Sequence, residues 1–496
     1  MPSLQLLDRA RWPAQAKALR QAAAGKLSTP NKLASCLSQT SHAECDPSCF
    51  DGLMELFDEA RPLLPSIAAL ALEAPSLFET PLHHLPQGQQ GSVSLTRRQA
   101  ACMLSLAFFD VVGPDEASEG WDMPDLLTFR HWYDEDDPEP EKIRCLLCYF
   151  DAMREEVPAA DAPATIRIER LVLPPAEAAA GAAAWTACDE TPLLPLRVVE
   201  RGAIEEAAGA LQADFANEYI GGGVMGGGNV QEEIRFVVSP ECLVSLALCP
   251  RMLPHEALLL TGVRQYSVYT GYGGSFACAG RCADPSDGAH VIALDATCYM
   301  FGDNGGAATQ YREAAMVREL TKCWAALSDR GAGSSPDGDG LAAVAPSPRR
   351  SGRRRDANGA AASAVSASAA GPAAAVAPRA FATGNWGCGV FGGDPSLKAL
   401  LQWMAASRAG REIAYYPFGD ARVAHLGRVA AQLLEARATV GQLASAIFAQ
   451  ASGGGGGGGL ERRGANAVVE AAFAGSKKRG SAAPAASSSG SSKRRK

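Results

Sequence analysis

Residues 214–236 read DFANEYIGGGVMGGGNVQEEIRF, and this stretch holds the residue types best suited to chemistry in the chain. Gly221, Gly222 and Gly223 are free to take positive φ and to bring backbone close to a ligand. Amide N–H groups displayed in such a turn, at the entry to a helix, form an anion cradle. Glu232 and Glu233 follow, beyond a second run of glycines at 226–228. Glycosidic cleavage needs an acid to protonate the leaving oxygen and a group that stabilises an oxocarbenium-like centre. Adjacent side chains diverge, so this pair is not a facing acid and nucleophile. One would be the acid while the other holds sugar hydroxyls. Two successive glutamates also suit the positive end of a helix with no chemistry involved. Beside glycine cradles the two accounts stand level, because carboxylates near phosphate sites titrate abnormally.

A second glycine loop, ATGNWGCGVFGGD at 382–394, precedes a helical stretch from Pro395. The two loops imply two contacts on one phosphate-rich ligand. Both contain the spacing G-x-G-x-x-G, at 221–226 and 387–392, which by itself invites a dinucleotide-binding reading. Neither is followed, about 20 residues on, by the strand-end acid that would hold a ribose 2′-hydroxyl. No G-x-x-x-x-G-K-[ST] loop occurs, so NTP hydrolysis has no support.

These loops need a scaffold, and the chain changes character at about Ala164. Before Val157, apolar residues recur at helical spacing in LFDEARPLLPSIAALAL, LTRRQAACMLSLAFF and EKIRCLLCYFDAMREE. After it, short runs such as IRIERLVL, LPLRVVE, ALLLTGV, HVIALDA and REIAYYPF alternate with helical stretches. That alternation predicts an α/β layered domain. Residues 331–378 carry no aromatic side chain and include PSPRRSGRRR. Such a segment buries too little apolar surface to offset its ordering entropy, so a disordered insertion is expected there. Residues 453–459 are seven consecutive glycines, and 453–496 are expected to be a disordered basic tail. The domain plan is then 1–163 helical, 164–452 α/β, and a tail.

Bulk properties limit the function classes. The net charge of −8 over 496 residues argues against a generic nucleic-acid binder. The 14 cysteines are spread thinly, no secretory leader opens the chain, and reduced thiols in nucleus or cytosol are expected. Cys145 and Cys148 form a lone C-x-x-C in apolar surroundings, which reads as buried helical cysteines rather than a metal site. No apolar run approaches the ~18 residues of a membrane helix. The basic residues among the first 26 read as a leader-free helix.

GGGVMGGGNVQEE resembles the signature of the poly(ADP-ribose) glycohydrolase family: three glycines, a short variable loop, then Gln-Glu-Glu. Five further stretches resemble the same family in the same order: PEKIRCLLCYF, GAIEEAAGALQADFAN, QYSVYTGY, TGNWGCGVFGGD and YYPFGD. The similarity spans about Phe50 to Gln450. It implies a macrodomain-like three-layer α/β/α sandwich with an N-terminal helical accessory domain.

By that resemblance Glu233 is the acid that protonates the departing 2′-oxygen and then the base that activates water. Glu232 holds ribose hydroxyls, and Asp214 is a buried acid of the same motif set. Gly221, Gly222 and Gly223, with Asn385, Trp386, Gly387, Cys388, Gly389 and Val390, cradle the diphosphate. Asn217 and Gln231 contact the terminal ADP-ribose, while Ile204 and Glu205 face the adenine. Tyr272 and Phe418 close over the nucleotide, with Phe391 nearby. Taken alone, the two aromatics would be assigned to core packing and Asp214 to a turn cap. The loop before Gln231 is richer in glycine than the family pattern, which points to greater mobility.

The expected reaction is metal-free and cofactor-free hydrolysis, mainly from the free end of the polymer, in which burial beside phosphate and Glu232 raises the Glu233 pKa. The expected partners are poly(ADP-ribose) and ADP-ribosylated proteins, with no membrane, no sequence-specific nucleic acid and a monomeric state. The alternative is a reader that binds ADP-ribose without cutting it. The clusters Lys477–Arg479 and Lys493–Lys496 are spaced like an import signal, which would place the protein in the nucleus, the cytoplasm or both. The basic run at 349–355 would add weak, salt-sensitive polymer affinity.

Overall fold

The computed structural model describes residues 4–114, 118–134, 138–155, 165–283, 288–300, 306–328, 379–451 and 464–473. The insertion at 331–378 and both basic clusters of the tail lie outside the described residues. The apolar runs of the second half become strands: β2 (Ile166–Val172), β3 (Leu196–Val198), β4 (Leu211–Asp214), β5 (Glu256–Val263), β8 (Ala289–Ala293), β9 (Phe381–Gly384) and β10 (Ile413–Tyr416). With β1 (Gly91–Leu95) they form one eight-stranded sheet in the order β1-β2-β5-β8-β4-β9-β10-β3. The pairs β8–β4, β4–β9, β9–β10 and β10–β3 are parallel, whereas β1–β2, β2–β5 and β5–β8 are antiparallel.

Side-chain alternation along these strands feeds two cores. Val291 and Ala293 of β8, with Leu258 and Leu260 of β5, face a core shared with the N-terminal helices. Ile292 and Ala257 face the other core, built against the helices Glu313–Leu327 and Pro395–Arg408. Each fully buried Val, Ile or Leu contributes roughly 2 kcal/mol, so this two-sided burial dominates the fold's stability. The first core runs without a break from Leu19 in the helix Trp12–Ala23 to Ile234 and Phe236 beside the glutamate pair. The site therefore leans on the helical region through continuous packing.

Two expectations are corrected. The stretch before Val157 is not purely helical, because GSVSL forms β1 and its backbone pairs antiparallel with β2 from Gly91↔Arg170 to Leu95↔Ile166. The tail is not wholly without structure, because Ala465–Phe473 form a helix. Its Ala465, Val468 and Val469 enter the second core, and Glu470 pairs with Arg428 at 2.8 Å. None of the 14 cysteines is in a disulfide, and Cys145 and Cys148 lie on the helix Pro140–Glu155, where their thiols meet that of Cys278 on β7 (Ala277–Arg281), which pairs with β6 (Ser267–Thr270) in a separate ribbon. No helix among the described residues is long and apolar enough to cross a membrane.

Candidate active site

The parallel strands run in one direction, so their carboxyl ends gather on one edge of the sheet, where ligands of open α/β sheets bind. Asp214 ends β4, Gly384 ends β9 and Tyr416 ends β10. The two glycine loops and the segment around Phe418 leave from these ends. Between them lies a cleft of about 690 Å³, a volume suited to one nucleotide-sized ligand.

The helix Gln231–Val238 starts beside this cleft and carries the glutamate pair on its first turn. Its apolar residues Ile234, Phe236 and Val237 sit in the first core and fix its orientation. Gln231 anchors it to β4: its Oε1 accepts from the Phe215 amide at 2.8 Å and its Nε2 donates to the Ala213 carbonyl at 3.1 Å. Glu232 Oε1 and Oε2 accept from the Gly221 and Asn217 amides at 2.6 and 2.8 Å. Glu233 Oε1 accepts from the Gly223 amide at 2.9 Å and Oε2 from the Val230 amide at 3.0 Å. Glu233 retains 7% exposure.

That arrangement corrects the expected role of the first loop. The Gly221 and Gly223 amides serve the two carboxylates, and the Gly222 amide donates to the Tyr219 carbonyl at 3.0 Å. The triple glycine therefore holds the acids and offers no spare N–H to a diphosphate. Its glycines remain necessary, because a Cβ on Gly222 (φ +52°) would lie 2.6 Å from Glu233 Oε1 and 2.7 Å from Glu232 Oε2. The second loop differs. Among the described residues the amides of Gly389, Val390 and Phe391 have no acceptor, and all three residues line the cleft.

Asp214 is fully buried, and both of its carboxylate oxygens lack a hydrogen-bond partner among the described residues. It caps no turn. Burial, with Glu233 and Glu205 nearby, pushes its pKa up to about 8 against the pull of Arg235. Burial likewise holds the Glu232 carboxyl well above the usual range, with Asp214 and Glu233 adding to the rise. Three acids thus share one small volume, and at least one proton among them is retained at neutral pH.

Of the other expected residues, the cleft brings together Glu205, Gln231, Tyr272, Asn385, Gly387, Cys388, Gly389, Val390, Phe391 and Phe418. Tyr272 and Phe418 are 58% and 54% exposed, so they are rim residues and not core. The Tyr272 hydroxyl lies near the Gln231 backbone and the Glu233 carboxylate. Phe418 has φ +51°, a strained conformation for a bulky residue, and its ring stacks beside Tyr416. Three of the expected residues do not line the cleft. Ile204 is buried in a small core with Ala382 and Tyr416. Trp386 is fully buried, its indole donating to the Leu294 carbonyl at 2.9 Å. Asn217 turns its side chain onto the Tyr219 amide at 3.0 Å while its own amide serves Glu232, and it does not line the cleft.

Several lining residues escaped the sequence reading. Phe215, Tyr269, Asp420 and Arg422 face the cleft. The first three lie inside the strings DFAN, QYSVYTGY and YYPFGD, so their neighbourhood was visible although their direction was not. Arg235, buried beside Asp214, sits one turn past Glu232 on the same helix face.

A mixed sheet with a helical flank, glycine loops at its carboxyl edge and acids buried under one of them define an α/β protein of the macro-domain class. Residues 182–425 match the family model described as "Poly (ADP-ribose) glycohydrolase (PARG), Macro domain fold", and residues 55–170 match its helical domain. The chain is 30% identical over 466 residues to poly(ADP-ribose) glycohydrolase 1 of Arabidopsis thaliana, covering 81% of this chain and 82% of that protein. It is 32% identical over 417 residues to probable poly(ADP-ribose) glycohydrolase 2 of the same plant, covering 77% and 76%. Poly(ADP-ribose) glycohydrolase 1 of Caenorhabditis elegans is 26% identical over 396 residues, covering 77% of this chain and 43% of that protein. This chain belongs to the poly(ADP-ribose) glycohydrolase family.

Proposed function

We propose that the protein hydrolyses ribose–ribose O-glycosidic bonds of poly(ADP-ribose), mainly from the free end, releasing ADP-ribose. The observation that carries this is Glu233, an acid held by two backbone amides on the first turn of a rigid helix, beside a nucleotide-sized cleft. Glu233 gives its proton to the departing 2′-oxygen as the bond to the anomeric carbon breaks. It then takes a proton from the water that adds to that carbon, which regenerates the acid and completes the hydrolysis. Glu232 sits against ribose hydroxyls, and Asp214, out of reach of substrate, maintains the local proton balance. The free amides of the second loop hold the diphosphate, and fixed dipoles of this kind hold the anomeric carbon in place. The exposed Tyr272 and Phe418 rings supply stacking faces for adenine. A cleft of about 690 Å³ accepts one ADP-ribose unit, which favours attack at the end of the chain.

In this reading residues 1–163 buttress a catalytic domain at 164–452, and ADP-ribosylated proteins are the partners the enzyme serves, including those of the DNA damage response. It works as a monomer. The basic clusters Lys477–Arg479 and Lys493–Lys496 direct import to the nucleus, which a fluorescent fusion with and without residues 476–496 tests. The decisive experiment measures ADP-ribose released from purified poly(ADP-ribose) by the protein and by its Glu233→Gln form. Release by the parent and a loss of roughly 10³-fold in the variant is expected. A parent that binds ADP-ribose without releasing any would instead be a reader.

A further inference from the structure

The charged side chains lining the cleft do not match a diphosphate. They are Glu205, Asp420 and Arg422, and Arg422 is paired with Asp420 at 2.7 Å. That leaves an uncompensated carboxylate where a doubly negative ligand is to sit, with Glu232 and Glu233 close behind. Directly under the second glycine loop, however, lies a cation that does not itself line the cleft. Lys398, on the helix that follows the loop, is 1% exposed. A Cβ on Gly387 would lie 3.4 Å from its Nζ and one on Gly393 would lie 3.3 Å from its Cε. The Gly393 amide donates to the Gly387 carbonyl at 2.9 Å, which closes the loop around the ammonium. The same ammonium stands 4.1 Å from the centroid of the buried Trp386 ring, in cation–π range.

The ammonium is half of a buried ion pair. Lys398 Nζ meets Glu319 at 2.7 Å, and against the push of burial this pairing holds the Glu319 carboxyl down to about 2. Glu319 is shared with Arg318 at 3.6 Å, and Arg318 and Lys322 both contact Asp295. Of the Lys398–Glu319 pair, the ammonium is the end that lies against the loop, 3.4 Å from a Cβ built on Gly387. Buried at this depth, the field of this oriented pair is screened far less than that of a surface pair would be.

We propose that Lys398 is a positioning residue of the diphosphate subsite: from beneath, without touching the ligand, it shapes the second glycine loop and supplies the positive potential that the cleft walls lack. This rests on the proposed function for the identity of the ligand. Lys398→Met alone would strand Glu319 as a buried, poorly paired carboxylate and endanger folding. The informative form is therefore the double variant Lys398→Met with Glu319→Gln, which removes the oriented pair and its field while leaving the net charge of the neighbourhood unchanged.

Calorimetric titration with ADP-ribose and with adenosine, which has the base but no phosphate, provides the test. The double variant is expected to bind ADP-ribose on the order of tenfold more weakly and adenosine within about twofold of the parent. Its kcat/KM on the polymer should fall through KM with kcat nearly retained. Unchanged ADP-ribose affinity would overturn the proposal. So would an equal loss for both ligands, which marks a collapsed cleft and not a missing charge. A parent that binds ADP-ribose but cuts no polymer would sink the glycohydrolase reading and leave this one standing, whereas a parent that binds no ADP-ribose would end both.

Discussion

Gly222 lies over Glu233: a Cβ added at residue 222 would sit 2.6 Å from Glu233 Oε1, nearer than any real methyl group approaches an oxygen. The triple glycine is therefore part of the acid's housing. Its φ of +52° adds a second reason for glycine, because side-chain-bearing residues pay roughly 1–2 kcal/mol in that region.

Gly222→Ala tests the housing. The methyl group must displace Glu232 or Glu233, so polymer cleavage should fall by roughly a hundredfold or more. ADP-ribose binding, which depends on the second loop and the rim, should change far less. A variant with near-normal turnover would show that the loop relaxes freely and holds neither acid.

Asp214 gives a pH signature. Its folded pKa of about 8 lies above the ordinary carboxyl value of 3.8, so the folded state binds the extra proton between those values. Stability from this group is present below about pH 4 and is lost as pH rises towards 8. Asp214→Asn keeps the shape and removes the titration. Melting curves from pH 5 to 9 should show the parent losing more Tm than the variant. Parallel curves would mean that Asp214 does not titrate in this range.

Phe418 joins strain to exposure. At φ +51° asparagine is tolerated better than phenylalanine. Phe418→Asn should be as stable as the parent, or more stable by about 1 kcal/mol, while weakening ADP-ribose binding through the lost ring face. Tm and ADP-ribose affinity, measured side by side, check both halves. Unaltered affinity would remove Phe418 from the adenine contact.

The helix Ala465–Phe473 can be tested by truncation. Ending the chain at residue 463 strips Ala465, Val468 and Val469 from the second core together with the Arg428–Glu470 pair. A stability loss of roughly 2–4 kcal/mol should follow. Ending it at 473 should cost nothing measurable by thermal melting. Identical melting of the two truncated forms would show that the helix adds no stability.

Local pattern alone settled much of this protein. Alternating apolar runs named most of the strands, three- and four-residue spacing named the helices, and the glycine strings with Gln-Glu-Glu located the site, because these signals are written in neighbouring residues. Tertiary structure decided the rest. GSVSL became a strand only because β2 offers it a partner. ANAVVEAAF is too short to hold a helix alone and depends on the core it enters. Neighbours within one loop parted company, Trp386 turning into the core while Gly387 faces the cleft, and spacing carries no signal for that choice. The Gly221 and Gly223 amides found carboxylates about ten residues away, and Asp214 acquired its raised pKa from burial. Direction, burial and the nearest charge exist only once distant segments are packed together, so the chemistry of the acids was set there.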